Sequence, residues 1–515
     1  MDKRKSLINV SISIFFKVFM LIGSILVRRC LIQYVGNEVN GLNSLYLSIM
    51  GFLSVAELGV GSAITFSMYK PIVQKDDDKV AALYQVFKKS YRIIGAVIFI
   101  AGMLLMPFLP YFAKDYATLG FSLYKTFFLM LFSVVLSYMF SEKTSLINAY
   151  KDNYITTTIS SLGMIFQYIL QIIVLNVTGS FYYYLVCRIV AILAQWGITE
   201  ICVRTKHNDI IHYKKQTLEA DTKQEVMKNI KALFMHRIGG IFVNSTDSAI
   251  ISAFIGIGVL GKYSNYTTIV LSMTSVINLF FTPLTSIIGH MCISEAEQTK
   301  KYYNFFHSFN YAIGTVFFLG YYAVIDNLIV ILFGENLEVA KTISFVITVN
   351  YFIQFMRQAT LLFRDATGTF YYDRWKPLFE GLLNVILSIT FVLLFTKWCG
   401  ESFGVVGVIL ATIITNLLIC HITEPYVLYK HVFHESPKVY WIKNYSYIAI
   451  FIVVLCIMSN FMVSISNPYL ESFINGSISL VFSGIIIVVI VLTDRDFRQY
   501  CLMVVRKIGN EVKNI

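Results

Sequence analysis

The sequence predicts an all-α, polytopic membrane protein of about fourteen transmembrane helices, and three observations carry that reading. Hydrophobic residues form 57% of the 515-residue chain and charged residues only 14%, with a mean hydropathy of +0.67, far from soluble-domain averages. Apolar runs long enough to cross about 30 Å of hydrocarbon recur along the chain between short polar stretches. The runs lack the alternating pattern of an outer-membrane barrel, which leaves a helical bundle.

In order, the runs lie near residues 6–35, 41–68, 84–110, 117–150, 152–176, 180–205, 230–257, 262–293, 299–325, 338–368, 372–398, 404–434, 440–465 and 469–492. The first is too long, and too polar along one stripe, for a cleaved signal peptide. With a cytoplasmic N-terminus, most of the 42 Lys and Arg fall in cytoplasmic loops and tails, and the outer side keeps Lys114, Lys125, Lys262, Lys341 and Lys397. Both termini are then cytoplasmic. The asymmetry accounts for most of the net charge of +12. The remainder is a basic tail, Arg495, Arg498, Arg506, Lys507 and Lys513, suited to anionic membrane lipids, so no nucleic-acid partner is expected. The eight cysteines are scattered singly without ligand spacing and read as small apolar residues, so no metal is expected.

A charged cytoplasmic linker at 206–229 separates an N-terminal lobe, 1–205, from a C-terminal lobe, 230–434, and leaves 435–515 for two further helices and the tail. The lobes repeat each other. Gly36, Val39, Gly41, Ser44 and Tyr46 recur as Gly256, Val259, Gly261, Ser264 and Tyr266, each 220 residues on. That period is too long for a solenoid. Because six helices are an even number, the halves keep one orientation and are related by a pseudo-two-fold along the membrane normal, a transporter layout with its site between the repeats.

Within the first run, Lys17, Ser24 and Arg28 fall within roughly 40° of one another at about 100° per residue. A charge at mid-membrane costs about 2.5 to 3.5 kcal/mol, so this face is expected to line something polar. The offset matches Lys17 with Arg237, Ser24 with Asn244 and Arg28 with Ser248. Arg188 and Arg357 add cations at other depths, and Arg364 follows Arg357 at a seven-residue step on the same face. Arg grips phosphate oxygens bidentately and Lys acts as a point charge, so Lys17, Arg28, Arg188, Arg237, Arg357 and Arg364 form a candidate cationic track for an anionic substrate. Arg29 points about 100° away from Arg28. Asp247 matches Val27, one step from Arg28, and is expected to latch one state by meeting Arg28 or Arg29. Glu57 is expected to pair with a neighbouring cation or with helix backbone.

Arg28-Arg29, then Tyr34-Val35-Gly36, Ala56-Glu57-Leu58-Gly59-Val60-Gly61 and Tyr69-Lys70-Pro71 resemble the polysaccharide transport family, the Wzx-type flippases of the MOP exporter superfamily, and the likeness spans the chain. The resemblance implies the MOP flippase fold and a central cationic cavity between two rocking lobes. It implies carriage of an undecaprenyl-diphosphate-linked oligosaccharide from the inner to the outer leaflet, for a capsular or O-antigen-type polysaccharide, with other polysaccharide assembly proteins as partners. Flippases for teichoic-acid or peptidoglycan precursors and MATE-like exporters are the alternatives. MATE exporters typically carry an acid in helix one, and this helix has none. Asp247, Glu380, Asn384 and Thr412 resemble the monovalent-cation site of the lipid II flippase branch, which implies coupling to Na+ or H+ and no other cofactor; oxygen ligands suit a hard cation. The sequence offers no P-loop, no facing carboxylate pair and no large outer loop, so an enzyme is not expected.

Overall fold

A computed structural model describes residues 3–57, 60–212, 246–281, 284–500 and 502. Among them no strand occurs. The chain begins with α1 (Lys3–Tyr34), α2 (Asn37–Leu53), α3 (Val60–Gln74), α4 (Asp77–Leu105), α5 (Leu123–Tyr138), α6 (Ser141–Ala149), α7 (Asn153–Thr178) and α8 (Phe181–His212). After α9 (246–254) come α10 (Ile257–Phe281), α11 (Leu284–Ser294), α12 (Thr299–Phe333), α13 (Lys341–Met356) and α14 (Gln358–Thr367). The series closes with α15 (Lys376–Cys399), α16 (Gly404–Thr415), α17 (His421–Leu428), α18 (Lys438–Phe461) and α19 (Pro468–Thr493).

Among the described residues, 9 helical stretches are long and apolar enough to cross a membrane. Of the other expected crossings, α2 and α3 part after Leu53, and α13 and α14 part at Arg357. Residues 213–245, with Arg237, Asn244 and most of the linker, lie outside the described residues.

Local chemistry sets the helix ends. The Asp76 carboxylate accepts the Lys79 backbone N–H at 3.0 Å, and Asp77 and Asp78 add negative charge to the first turn of α4, where the helix dipole favours it. Asn467 caps α19 just ahead of Pro468.

The chain divides into two compact units, Met1–Gly261 and Lys262–Ile515. The first buries Tyr46, Tyr84, Phe87 and Phe127; the second buries Tyr303, Tyr311, Phe318 and Phe352. Leu104, Val177 and Leu480 stand among many large apolar side chains left on the outside. Hydrocarbon solvates such a surface, while the helices satisfy their own backbone groups.

The 220-residue repeat is visible in the backbone of the first unit. Gly36 and Gly256 precede matching helices at positive φ, 115° and 139°. The two turns touch reciprocally: a Cβ on Gly41 would sit 1.9 Å from the Ile257 carbonyl oxygen, and one on Gly261 would sit 2.4 Å from that of Asn37. Residues 37 and 41 match 257 and 261, so the contact exchanges its two partners, as a local two-fold requires. Asn37 Nδ2 donates to the Gly258 carbonyl at 2.8 Å and Asn40 Nδ2 to that of Gly261 at 3.3 Å. The recurring glycines are therefore where two backbones meet.

Candidate functional site

Helix α1 packs along α7. A Cβ on Gly23 would lie 2.6 Å from the Tyr168 ring, so this glycine admits the α7 tyrosine against α1. Arg28 of α1 and Arg188 of α8 both act electrostatically on Tyr184, and Tyr168 also acts on Arg188. Both arginines are half-buried. Gln171 Nε2 donates to the Tyr184 carbonyl at 3.2 Å, fixing the start of α8 to α7. Two guanidinium groups and two phenols therefore lie within electrostatic range of one another. Lys17 is half-buried on α1, Arg29 is exposed, and Asp247 is half-buried at the start of α9.

Glu57 lies in the same unit, at the interruption between α2 and α3. Its Oε1 accepts the Tyr91 hydroxyl at 2.8 Å. The reason is steric and lies in the motif: a Cβ on Gly61 would stand 2.4 Å from that hydroxyl, so glycine leaves the space the phenol fills. Phe87 stacks on Tyr91 at 4.7 Å and 15°. Glu57 and Tyr91 open onto a cavity of about 400 Å³ walled by α5, α6, α7 and α8. Ser137, Ser141, Thr156, Ser160 and Thr199 line it, together with Tyr138 and Gln195.

In the second unit the cations are held differently. Arg357 Nε and Nη2 grip both oxygens of Glu424 at 3.1 and 2.5 Å, and Nη1 donates to Asn416 Oδ1 at 2.7 Å. A π-turn over Asn416–Cys420 joins α16 to α17 and carries the chain between these two partners. Lys376 Nζ reaches Glu424 at 2.5 Å and Glu380 at 3.3 Å, with Glu380 3.8 Å from Arg357. Two cations and two carboxylates thus close to zero net charge, which is what makes burial of all four tolerable. Arg364 is clasped by Asp365 and by Asp373, the latter at 3.0 Å. The picture of Arg357 and Arg364 as open steps of an anion track changes accordingly, because each is already engaged by carboxylate. Asn384 Nδ2 donates to Thr412 Oγ1 at 2.9 Å, so this pair of the expected cation site is brought together, while Glu380 is engaged with Lys376.

Sequence reasoning missed Lys376, Glu424 and Tyr91. It also missed a buried chain across α12, α17 and α18. His421 Nε2 donates to the Ile353 carbonyl at 3.0 Å, its Nδ1 accepts from Asn444 at 2.9 Å, and Asn444 Oδ1 accepts from His307 at 3.1 Å. The Lys376–Glu380 spacing of four residues was a signal open to sequence reading. Just past α19, burial would raise the Asp494 pKa, yet the Lys443 ammonium at 2.6 Å and the Ser308 hydroxyl hold it below the ordinary 3.8.

No protein-family model matches the chain, and no curated protein sequence matches it. Solved structures do. An inward-facing multidrug-resistance MATE transporter of the MOP superfamily aligns with a TM-score of 0.61 at 13% identity, over 80% of this chain and 98% of its own. The lipid II flippase MurJ in an inward closed conformation gives 0.58 at 13% identity, over 93% and 98%. A Vibrio cholerae MATE transporter gives 0.51 at 12% identity, over 82% and 98%. The chain has the MOP flippase fold.

Within the MOP fold the repeat lets the two units be read against each other. Ser137, Thr156 and Ser160 of the first-unit cavity match Arg357, Lys376 and Glu380, each 220 residues on. One copy of this place is lined with hydroxyls, and the other is filled with charge. Its membrane-length helices make this MOP-fold chain a multi-pass membrane protein.

Proposed function

We propose that the chain is a flippase moving an undecaprenyl-diphosphate-linked oligosaccharide from the inner to the outer leaflet of a bacterial cell membrane, with both termini cytoplasmic, for surface polysaccharide assembly. The observation that carries this reading is a pair of half-buried arginines, Arg28 and Arg188, both within electrostatic range of Tyr184, within a MOP fold. Guanidinium groups suit a diphosphate, because they bind its oxygens bidentately where charge is poorly solvated. Lys17 and Arg237, matched by the repeat, extend the cationic set. Asp247 latches one state through Arg28 or Arg29, and coupling to Na+ or H+ drives the cycle. Sodium-independent transport by both wild type and Asp247→Asn would remove that coupling.

A second reading, export of a small organic cation, is favoured by one observation: the Glu57 carboxylate opens onto the first-unit cavity. The sign of the α1 face decides between the two readings, since cations there repel a cationic drug. In cells lacking the native gene, Lys17→Gln, Arg28→Gln and Arg188→Gln together should stop export and leave lipid-linked repeat units in the inner leaflet. Full surface polysaccharide from that triple variant would sink the flippase mechanism.

A further inference from the structure

We infer that the first-unit cavity receives the sugar portion of the cargo, a reading that rests on the flippase function above and adds a site to it. Its volume of about 400 Å³ falls within the range of small-molecule sites, about 300 to 1,000 Å³. Several of its hydroxyls are already committed as donors, beside the Gln195 amide. Ser137, Ser160 and Thr199 spend their hydroxyl protons on carbonyls of their own helices at 2.7, 3.0 and 2.8 Å. Thr156 spends its proton on Asn148 at 2.6 Å, and Tyr91 on Glu57 at 2.8 Å. A hydroxyl has one proton to give, so these oxygens meet a ligand as acceptors.

A ligand that brings donors suits these oxygens, and a sugar ring brings several hydroxyls that can also accept from Gln195. Tyr138 and Phe140 supply aromatic surface for its apolar C–H faces. An organic cation is the weaker fit, because the lining is mostly neutral oxygen and Glu57 already accepts a phenol. The repeat adds an independent argument. The matching place in the second unit is occupied by Arg357, Lys376 and Glu380 with Glu424, so the scaffold can fill this space with side chains, and in the first unit it has not.

The test uses the full chain in lipid nanodiscs and two probes: the lipid-linked repeat unit extracted from its native cells, and undecaprenyl diphosphate without sugar. Wild type should bind the glycosylated lipid about tenfold more tightly than the bare one. Ser160→Leu, which fills the cavity, and Thr156→Val, which removes one acceptor at nearly constant volume, should shrink that ratio toward one and leave affinity for bare undecaprenyl diphosphate unchanged. Equal affinity of wild type for both probes overturns the sugar site and leaves the flippase reading standing. A ratio that survives Ser160→Leu, or tetraphenylphosphonium bound in the cavity and displaced by Glu57→Gln, overturns it too. Binding of neither probe by folded wild type overturns the flippase reading and the sugar site together.

Discussion

Ser137, Thr156 and Ser160 surround a cavity in the first unit, whereas their matches 220 residues on, Arg357, Lys376 and Glu380, are tied to Glu424 in the second. The same helical frame accommodates both solutions. Serine and threonine satisfy their protons within their own helices and leave space. Charged side chains fill the space but must balance, since each unpaired ion in a poorly solvated interior costs several kcal/mol. One copy of the repeat thus keeps an open cavity and the other an internal ionic brace.

If the second-unit cluster is a brace, cutting it should hurt stability most. Glu424→Gln leaves Arg357 and Lys376 facing one remaining carboxylate, and the expected loss is about 3 to 5 kcal/mol, read as a fall in the unfolding midpoint in detergent. A Glu424→Gln protein as stable as wild type would break the contrast. Tyr91→Phe tests the first unit, where Glu57 loses one hydrogen bond at the rim of a cavity. The expected cost is about 1.5 to 3 kcal/mol by the same assay, and a cost above that of Glu424→Gln would reverse the comparison.

The repeat itself is tested at the glycine turns. Gly41→Ala and Gly261→Ala each push a Cβ into a backbone carbonyl, at 1.9 and 2.4 Å, so each should cost about 1 to 3 kcal/mol. Similar losses support the local two-fold; loss at one site alone argues against it. The smallest effect concerns Asp494, whose depressed pKa contributes stability above its unfolded value and loses it as pH falls through the folded one. Asp494→Asn should therefore melt slightly below wild type at pH 7, with the gap closing below about pH 4. An unchanged gap at acid pH would show that this contribution is not ionic.

Much of the frame was legible in the sequence, because membrane-length apolar runs and a repeat of glycines report on backbone over long stretches. Gly36, Gly41, Gly256 and Gly261 are an example: the turn and the close approach demand glycine whatever surrounds them. The site was less legible because its pairings join distant positions. Arg357 stood out as a buried cation, yet nothing in local periodicity says that the acid 67 residues on reaches it. Glu57 was noticed through its motif, while Tyr91, 34 residues away, was one phenol among 33 tyrosines. Arg28 and Arg188 were named separately from depth and charge; the structure adds that both act electrostatically on Tyr184.

The central claim is that first-unit cations hold the substrate anion while the second-unit cluster holds the protein. Affinity for undecaprenyl diphosphate in nanodiscs measures this directly, comparing Arg28→Gln with Arg188→Gln in one protein and Arg357→Met with Glu424→Met in another, both checked for folding. The account predicts at least a tenfold loss for the first double variant and a change within about twofold for the second, with one tenfold step corresponding to about 1.4 kcal/mol. Retained affinity in the first, or an equal loss in the second, would contradict it.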